Sequence, residues 1–379
     1  MLNSRKTVML TITESCNLNC VYCYEHNKTS NEMPKELVFS IIEDTLQKCN
    51  TAVEFSFHGG EPFIKFDLMR EVAEYFWNKY NPDNKYVFFS STNGTILNDD
   101  IKTWLFNNKK NFWCGISYDG TNDMQDKNRS SSSKNIDLDF FIKTWPKQPV
   151  KMTISQETLS NLAEGTIYLH EKGFNINNNL AYGLDWNNEK FIKILSDQLE
   201  ILIEYYLNNP EISPSSIISM NVEWFTKDIN IKAQRFCGAG RYMKCFDTKG
   251  KEYPCHFFMD INSSEQKSKV SNIDILNSDD CLLDSFCNDC EIRLVCPTCY
   301  GYNFVSTGNP VERDKNLCIL SKIQAVACAI LSLRKIQKYG KLIFRNEEIP
   351  IGNALNGINC VLNNEFFIND ERLKKYFLI

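Results

Sequence analysis

The chain has 379 residues, a formal net charge of −5 and 16 cysteines. This length suits one large domain and a smaller one, and the mild negative charge argues against nucleic acid as the main partner. The first residues lack the apolar segment and cleavage site of a secretory signal, and the longest apolar run, residues 323–333, is too short to span a bilayer. We therefore expect a cytoplasmic protein with no membrane partner, in which disulfides are disfavoured and clustered cysteines bind metal.

The first 210 residues alternate short apolar runs with longer amphipathic ones. Six runs predict strands: 7–13, 53–57, 86–92, 112–118, 150–155 and 175–182. Between them, four amphipathic runs predict helices: 34–48, 67–80, 160–172 and 189–207. Alternation of strand and helix predicts an α/β fold with a parallel sheet and right-handed crossovers, and six such units suit an open, partial (β/α)6 barrel. The ligands of such a barrel bind at the carboxyl ends of its strands.

A triplet of cysteines follows the first predicted strand in the arrangement Cys16-x3-Cys20-x2-Cys23. Three thiolates on one short loop can hold three irons of a [4Fe–4S] cluster and leave the fourth iron without a protein ligand. The alternative is a structural zinc site, which takes four closed ligands. His26 is the nearby candidate for that fourth ligand, but no further Cys or His stands at zinc-finger spacing, so the triplet favours iron and sulfur.

The run Gly59-Gly60-Glu61-Pro62 follows the second predicted strand. Two glycines let a backbone approach a ligand closely, and a carboxylate can accept a hydrogen bond from an ammonium. Together with Tyr22, which stands between the second and third cysteines, this run and the triplet resemble the radical S-adenosylmethionine (SAM) superfamily, whose signature is C-x3-C-x-(aromatic)-C. The resemblance implies that SAM chelates the open iron, that Tyr22 packs near the adenine, and that the Gly-Gly-Glu-Pro run binds the amino group.

Two further polar runs end predicted strands. A Thr-Asn-Gly run containing Asn93 follows the third strand, and a Ser-x-Asp-Gly run starting at Ser117 follows the fourth, with Arg129 downstream. Alone, such runs are more often turns. They resemble runs in the peptide-modifying branch of the radical SAM family, which implies that Asn93, Ser117 and Arg129 contact SAM. The polar stretch 125–135, with four serines in a row, predicts a mobile loop.

The composition changes after the barrel. Residues 208–219 carry two prolines and four serines and predict the exit from it. The predicted division is a barrel over 1–210, a linker over 211–235, a cysteine-rich domain over 236–330 and a C-terminal segment without an assigned role over 331–379. Within the last segment, residues 341–345 and 358–362 resemble strands.

A second constellation of cysteines lies in the cysteine-rich domain. Eight candidate ligands match the needs of two four-iron clusters: Cys237, Cys245, Cys255, Cys287, Cys290, Cys296, Cys299 and Cys318. The two Cys-x2-Cys pairs could instead form a zinc ribbon, which leaves the three upstream cysteines without a role. Four other cysteines are predicted to fill apolar sites: Cys49, Cys114, Cys328 and Cys360.

This pattern resembles the SPASM domain, which follows the barrel in radical SAM enzymes that modify peptides and proteins. Two residues rather than three separate Cys296 from Cys299 here, which departs from the family pattern. The resemblance implies two auxiliary [4Fe–4S] clusters, and hence three clusters in all. It assigns one auxiliary cluster to Cys287, Cys290, Cys296 and Cys318. It assigns the other to Cys237, Cys245, Cys255 and Cys299.

The same resemblance implies an oxidoreductase that cleaves SAM reductively to a 5′-deoxyadenosyl radical, which abstracts hydrogen from a peptide or protein substrate. It also implies a low-potential electron donor such as flavodoxin or ferredoxin. Since Cys16 lies so near the start, we expect no leader-binding domain ahead of the barrel.

The residue after Cys255 separates two candidate reactions. Sulfatase-maturating enzymes, which oxidise Cys or Ser to formylglycine, carry an Asp there as general base, whereas this chain has His256. A His can also accept a proton near neutral pH. The difference favours a maturase of ribosomally made peptides (RiPPs) that forms thioether or carbon–carbon crosslinks or inverts a stereocentre. Formylglycine formation is the alternative within the class, and a non-catalytic zinc or electron-transfer protein is the alternative outside it.

Overall fold

The computed structural model of the protein describes residues 5–82, 85–228, 230–233, 235–262, 273–278 and 282–363. Its first half contains six strands: β1 (Lys6–Thr13), β2 (Val53–Gly59), β3 (Tyr86–Thr92), β4 (Phe112–Ile116), β5 (Val150–Ile154) and β6 (Ile176–Leu180). Strands β1 to β4 pair in order and β5 pairs with β6, all in parallel. A parallel bridge between Ser117 and Lys151 links β4 to β5. The predicted parallel α/β architecture is therefore confirmed.

Helices return the chain between strands and cover its last third. They are α1 (Lys35–Lys48), α2 (Phe66–Lys79), α3 (Asp99–Asn108), α4 (Asn122–Asn128), α5 (Leu138–Thr144), α6 (Leu162–Glu171), α7 (Glu189–Asn208), α8 (Tyr300–Thr307), α9 (Cys318–Tyr339) and α10 (Ile351–Leu362). The side chains of Asn98, Thr121 and Asp137 accept backbone N–H groups at the starts of α3, α4 and α5. The four helices predicted from amphipathic runs, which are α1, α2, α6 and α7, are confirmed to within two residues at each end.

The strands separate an apolar outer face from a polar lumen. On β2, Val53, Phe55 and Phe57 are at most 1% exposed and belong to the apolar core with the helices. Successive side chains of a strand point to opposite faces, so Glu54 and His58 of the same strand face the lumen. Polar side chains can therefore meet a ligand inside the barrel while the helices stay packed outside.

The cysteine-rich region joins the barrel next to β1. Strand β7 (Met243–Phe246) runs parallel to β1, with Thr7 opposite Met243, and β8 (Glu252–Tyr253) is antiparallel to β7. The sheet order is thus β4-β3-β2-β1-β7-β8. Met9 of β1 packs into the second apolar cluster together with residues of the cysteine-rich region. The strand that ends at the cysteine triplet is consequently flanked by the barrel on one side and the cysteine-rich region on the other.

Of the two strands predicted in the C-terminal segment, one is confirmed and the other is wrong. Residues 342–344 form β9, which pairs antiparallel with β10 (Glu347–Ile349). Residues 358–362 lie in α10, not in a strand. Ala354, Ile358 and Val361 are buried at three- and four-residue spacing, and a short apolar run cannot by itself distinguish this helical face from a strand.

Helix α9 is longer than the apolar run 323–333 suggests. The segment Lys315–Tyr339 is long and apolar enough to cross a membrane by length and composition alone. Most of that apolar window is packed inside the molecule, where α9 lies against α7 and α10. A buried core helix passes the same test of length and composition, so this feature is weak support for a membrane span.

The stretch 125–135 is ordered, and the prediction of a mobile loop is wrong. Gln125 and Asn128 of α4 are 0% exposed, and Ser132 is 1% exposed. Gln125 Nε2–H donates to Ser132 Oγ at 2.9 Å, so the polar side chains satisfy one another. The Asn128 carbonyl also accepts the N–H of Val21 at 3.0 Å. These contacts fix the stretch in place, and the stretch in turn supports the cysteine loop.

Candidate active site

The cysteine triplet lies on the loop between β1 and α1, directly past the carboxyl end of β1. Cys16, Cys20 and Cys23 are free thiols, each partly buried. Burial raises the pKa of the Cys16 and Cys20 thiols, and the neighbouring Cys23 raises both further. The three sulfur atoms are thus close enough to interact. His26, the candidate for a fourth zinc ligand, is exposed.

Gly59 and Gly60 allow this loop to pack against the end of β2. Gly59 has a φ of +143°, and a Cβ there would lie 1.9 Å from the carbonyl oxygen of Thr13. A Cβ on Gly60 would lie 2.4 Å from the carbonyl oxygen of Ser15 and 2.9 Å from Cβ of Cys16. The two backbones approach more closely than any side chain permits, so these glycines fix the position of Cys16.

Glu61 ties the ends of β2 and β3 together. It is 2% exposed, and its carboxylate accepts the N–H of Phe63 at 3.0 Å, the hydroxyl of Thr92 at 2.8 Å and the N–H of Asn93 at 2.7 Å. Burial raises the pKa of Glu61 to about 7, and the three donors offset only part of that rise. Pro62 follows as the buried first residue of a short 3-10 turn. In this structure Glu61 therefore supports the rim of the barrel from inside.

Asn93 links the end of β3 to the cysteine loop. Its Nδ2–H donates to Asn17 Oδ1 at 2.9 Å, and Asn17 Nδ2–H donates to Thr95 Oγ1 at 2.8 Å. Asn93 is 6% exposed, so its side chain serves this contact within the protein. The Thr-Asn-Gly run and the cysteine loop are thereby held as one surface.

Tyr22 and Arg129 meet at Asp119, which is 0% exposed. The Tyr22 hydroxyl donates to Asp119 Oδ2. Arg129 Nε–H and Nη2–H donate to the two carboxylate oxygens at 3.0 and 3.2 Å, and the N–H of Thr153 donates to Oδ1 at 2.9 Å. The Arg129 guanidinium lies 5.4 Å from the centre of the Tyr22 ring. The aromatic residue of the triplet is thus oriented by a buried ion pair.

Asp119 was missed as a site residue in the sequence, although it stands in the Ser-x-Asp-Gly run. A run of polar residues at a strand end reads as a turn, and nothing in it marks which carboxylate will be fully buried. The sequence did contain one signal: an acid, Asp119, and a downstream base, Arg129, both near a predicted ligand site. Whether these two residues pair depends on α4, because Arg129 directly follows that helix.

Ser117 stands at the end of β4, where its N–H donates to the carbonyl of Thr92 at 3.0 Å. It lies opposite Lys151 in the bridge between β4 and β5. The Lys151 side chain lies on the lumen face of β5 and keeps some contact with solvent. Its pKa is lowered, first because the barrel around it removes part of its hydration and second because of the positive charge of Arg129. Sequence analysis did not single out Lys151, because one lysine in a strand is an ordinary surface residue until the barrel closes around it.

His256 lies beside the lumen residue His58, with 4.9 Å between the ring centres. The Nδ1 atom of His256 and the Nε2 atom of His58 are buried and have no hydrogen-bond partner. Burial lowers the pKa of His58 to about 4 and that of His256 well below its ordinary value. Glu25 Oε1 lies 3.7 Å from His58 Nε2, and burial raises the pKa of Glu25 to about 7. Both imidazoles are therefore neutral at neutral pH, and each has a ring nitrogen whose lone pair can accept a hydrogen bond.

Four cysteines of the C-terminal part line one small cavity together with Arg313: Cys287, Cys290, Cys296 and Cys318. Burial raises the pKa of Cys287 to about 12 and that of Cys290 to about 11. Neutral thiols are therefore favoured as long as no metal compensates their charge. These four are the set assigned to one auxiliary cluster in the sequence.

A second group of thiols lies closer to the barrel. Burial raises the pKa of Cys255, and the charges of Cys299, Cys237 and Cys245 raise it further. Cys299 interacts in turn with Cys237. Cys245 is on β7, with its sulfur 3.9 Å from Thr11 Oγ1 and 3.4 Å from the Met259 sulfur. Cys237, Cys255 and Cys299 therefore lie close together, whereas the Cys245 thiol points toward β1.

Among the residues that the structure describes, no three Cys, His, Asp or Glu side chains converge as ligands of a single metal ion. A zinc ion draws its ligands to about 2.0–2.3 Å. The thiolates of an iron–sulfur cube each bind a different iron and lie further apart.

The comparison with known families agrees with this geometry. The family model of the radical SAM superfamily matches residues 10–197. The chain belongs to the radical SAM superfamily. The matched region begins inside β1 and ends inside α7, so it includes the end of β1 and all of β2 to β6. A radical SAM domain implies a [4Fe–4S] cluster and SAM.

Two relatives extend the similarity beyond the radical SAM barrel. An uncharacterised protein of Methanocaldococcus jannaschii is 26% identical over 337 residues, which cover 86% of this chain and 96% of the relative. The cysteine-type anaerobic sulfatase-maturating enzyme of Clostridium perfringens is 24% identical over 286 residues, which cover 65% of this chain and 73% of the enzyme. This radical SAM protein is thus related to sulfatase maturases.

Solved structures show the same fold. Native anSMEcpe with bound AdoMet and Cp18Cys peptide has a TM-score of 0.65 and 19% identity, and the match covers 88% of this chain and 99% of that chain. Streptococcus suis SuiB bound to the precursor peptide SuiA has a TM-score of 0.54 and 15% identity, with coverage of 83% and 76%. The predicted fold class, a radical SAM barrel followed by a cysteine-rich domain of SPASM type, is confirmed by these matches.

Proposed function

We propose that this radical SAM protein modifies a ribosomally made peptide by hydrogen abstraction, and that the product is a thioether or carbon–carbon crosslink or an inverted stereocentre. The observation that carries the proposal is the position of His256. Its neutral imidazole lies next to His58 at the wall of the lumen and has a buried nitrogen without a partner. A substrate N–H, O–H or S–H group in the lumen would find a hydrogen-bond acceptor there, and it would pass its proton to the imidazole once nearby negative charge raises the pKa of His256.

Cys16, Cys20 and Cys23 would hold the first cluster and leave one iron open to SAM. When bound, the cluster and SAM supply the electron and the 5′-deoxyadenosyl radical. The chain's own contribution is orientation and exclusion of water. In this proposal the contacts to SAM come from the strand ends: Tyr22, Gly59, Gly60, Glu61, Pro62, Asn93, Ser117 and Arg129.

We extend the proposal to two auxiliary [4Fe–4S] clusters, one in each cysteine group of the SPASM region. The four-cysteine cavity supports one of them, and the interaction among Cys237, Cys255 and Cys299 supports the other. Cys245 is the eighth proposed ligand. The proposed partners are a peptide substrate and a low-potential electron donor such as flavodoxin or ferredoxin, in a cytoplasmic setting. The proposed domain limits stay at residues 210, 235 and 330.

A second candidate is formylglycine formation. The similarity to the C. perfringens sulfatase-maturating enzyme and to anSMEcpe bound to a cysteine-containing peptide favours it. The position of His256 after Cys255 favours the first candidate, because an imidazole replaces the expected carboxylate. Incubation with a sulfatase-motif peptide, followed by a search for an aldehyde by mass spectrometry, separates the two reactions.

The main test is anaerobic reconstitution followed by incubation with SAM and a reductant. We expect 5′-deoxyadenosine from the wild-type chain and none from a variant in which Cys16, Cys20 and Cys23 are all Ala. Absence of the nucleoside from reduced, iron-replete enzyme contradicts the proposal.

The reaction itself is read from short peptides encoded beside the enzyme and produced together with it. Loss of hydrogens indicates crosslinking, and unchanged mass with altered stereochemistry indicates epimerisation. We expect His256→Ala to keep 5′-deoxyadenosine formation while lowering peptide modification about 10²- to 10⁴-fold, the usual contribution of a general base. Equal loss of both activities would show that His256 acts on the fold instead.

A further inference from the structure

The four-cysteine cavity contains a buried cation, Arg313, on the segment between α8 and α9. Arg313 is 7% exposed. Its Nη1–H donates to the carbonyl of Pro297 at 3.0 Å, and its Nη2–H lies 3.4 Å from the Ser321 hydroxyl. The guanidinium lines the cavity beside Cys318, close enough for the two charges to interact. The cation is therefore fixed against the wall that carries the cysteines.

No carboxylate neutralises this guanidinium within the part of the chain that the structure describes. Asp284 is the nearby acid, and its carboxylate accepts the backbone N–H of Arg313 at 2.9 Å and that of Phe286 at 2.9 Å. The other buried arginine discussed above, Arg129, is paired with both oxygens of Asp119. Buried charges are as a rule paired or coordinated to a metal centre, so Arg313 needs a counter-charge that no carboxylate in the described residues provides.

A cube ligated by four thiolates supplies that counter-charge. Its net charge is negative in both oxidation states, and reduction adds one more negative charge. A fixed cation beside it favours the reduced form, because reduction potentials depend on net charge, hydrogen bonds to sulfur and exposure to solvent. The Arg313 cation places a fixed positive charge beside the proposed ligand Cys318 and is screened from water.

We propose that Arg313 is the resident counter-ion of the auxiliary cluster at Cys287, Cys290, Cys296 and Cys318, and that it raises the reduction potential of this cluster. The inference rests on the proposed function only in assuming that this cysteine set holds a cluster. In this proposal Arg313 acts on the cluster through its charge and does not contact SAM or the peptide.

The test compares iron-loaded wild type with Arg313→Met and Arg313→Lys by redox titration followed by electron paramagnetic resonance. The control is Arg334→Met: Arg334 is on α9, the helix that begins at Cys318, but pairs with Glu200 and Glu204 and does not line the cavity. We expect R313M to make reduction of one auxiliary cluster at least tenfold less favourable, which is about 59 mV for a one-electron couple. R313K and R334M should stay within threefold of wild type. Unchanged potentials in R313M, or an equal shift in R334M, overturn the proposal.

If R313M does not retain the cluster, the iron content decides. Loss of roughly four of 12 irons in R313M but not in R313K supports the counter-ion, because the lysine keeps the charge. The same loss in R313K overturns it.

A second measurement uses the metal-free full chain and needs neither SAM nor peptide. Without a cluster the charge of Arg313 is uncompensated, so we expect R313M to raise the thermal midpoint of the metal-free chain and to lower that of the iron-loaded chain. A lower midpoint in both forms overturns the proposal. Because the 5′-deoxyadenosine assay is separate, failure of this inference is distinguishable from failure of the proposed reaction.

Discussion

Asp119 connects three parts of the barrel mouth through one carboxylate. It binds Tyr22 of the cysteine loop, Arg129 after α4 and the backbone of β5 at Thr153. A fully buried carboxylate is stabilised only when its oxygens are paired in this way. At the scale of single residues, the candidate site therefore depends on buried polar groups whose partners come from distant parts of the chain.

We expect Asp119→Asn to destabilise the protein by about 3–5 kcal/mol, because it leaves the buried Arg129 cation without its partner. Urea unfolding of the metal-free chain measures this change. Asp126→Asn is the control: Asp126 accepts the N–H and hydroxyl of Ser133, both at 2.8 Å, and pairs with no cation in the described part of the chain. Its loss should cost about 1 kcal/mol. Equal effects of the two changes would mean that the ion pair contributes nothing special.

Glu61 predicts a pH dependence of stability. Its pKa is raised from 4.5 to about 7 by burial, so the folded state favours the protonated form. The contribution of protonated Glu61 to the free energy of unfolding is complete below about pH 4.5. It falls by roughly 3 kcal/mol as the pH rises to about 7. Glu61→Gln should remove this trend. Urea unfolding at pH 4.5, 6 and 7.5 measures the difference between variant and wild type. A difference that is constant across these pH values contradicts the raised pKa.

At the scale of secondary-structure elements, β1 and β2 determine where the first cluster would form. Both strands end at the same edge in parallel register, with Leu10 opposite Phe57. The loop after β1 then passes directly over Gly59 and Gly60. A short, local motif in the sequence thus acts by fitting against another short motif some 40 residues later.

Gly60→Ala should displace the cysteine loop. The new Cβ would lie 2.4 Å from the backbone oxygen of Ser15, and such overpacking costs about 1–3 kcal/mol. We expect the variant to lose most of the N-terminal cluster, roughly four irons, and with it 5′-deoxyadenosine formation. Gly352→Ala is the matched control, because a Cβ on Gly352 meets nothing within 4 Å. Normal iron content in G60A would show that the loop can move away without losing its ligands.

At the scale of the whole molecule, β7 makes the barrel and the SPASM region parts of one sheet. Met9 of β1 and Tyr253 of β8 share an apolar cluster with Cys245 and Cys255. The barrel lumen and the cysteine groups therefore lie on either side of the strand that leads to the first cluster. This arrangement brings His256 of the SPASM region next to His58 of the barrel.

Iron content tests how many clusters this assembly holds. We expect roughly 12 irons in wild type, roughly eight when Cys16, Cys20 and Cys23 are Ala, and roughly eight when Cys287, Cys290, Cys296 and Cys318 are Ala. Cys245→Ser examines the eighth auxiliary ligand, whose thiol contacts Thr11 and Met259. Full iron content together with an unchanged spectrum in C245S would remove Cys245 from the ligand set. Zinc without iron in the wild-type chain would contradict the cluster proposal as a whole.

The amino-acid sequence by itself determined the six barrel strands, four helices, the cysteine triplet and the superfamily, because these depend on periodicity and spacing within short stretches. Tertiary structure decided which polar residues pair: Asp119 with Arg129, and Glu61 with Thr92 and Asn93. It also turned the serine-rich stretch into an ordered support and the run 358–362 into a helix. Those outcomes depend on contacts between residues far apart in the chain. Burial then changes the strength of these contacts, and neither the contacts nor the burial can be predicted from local composition.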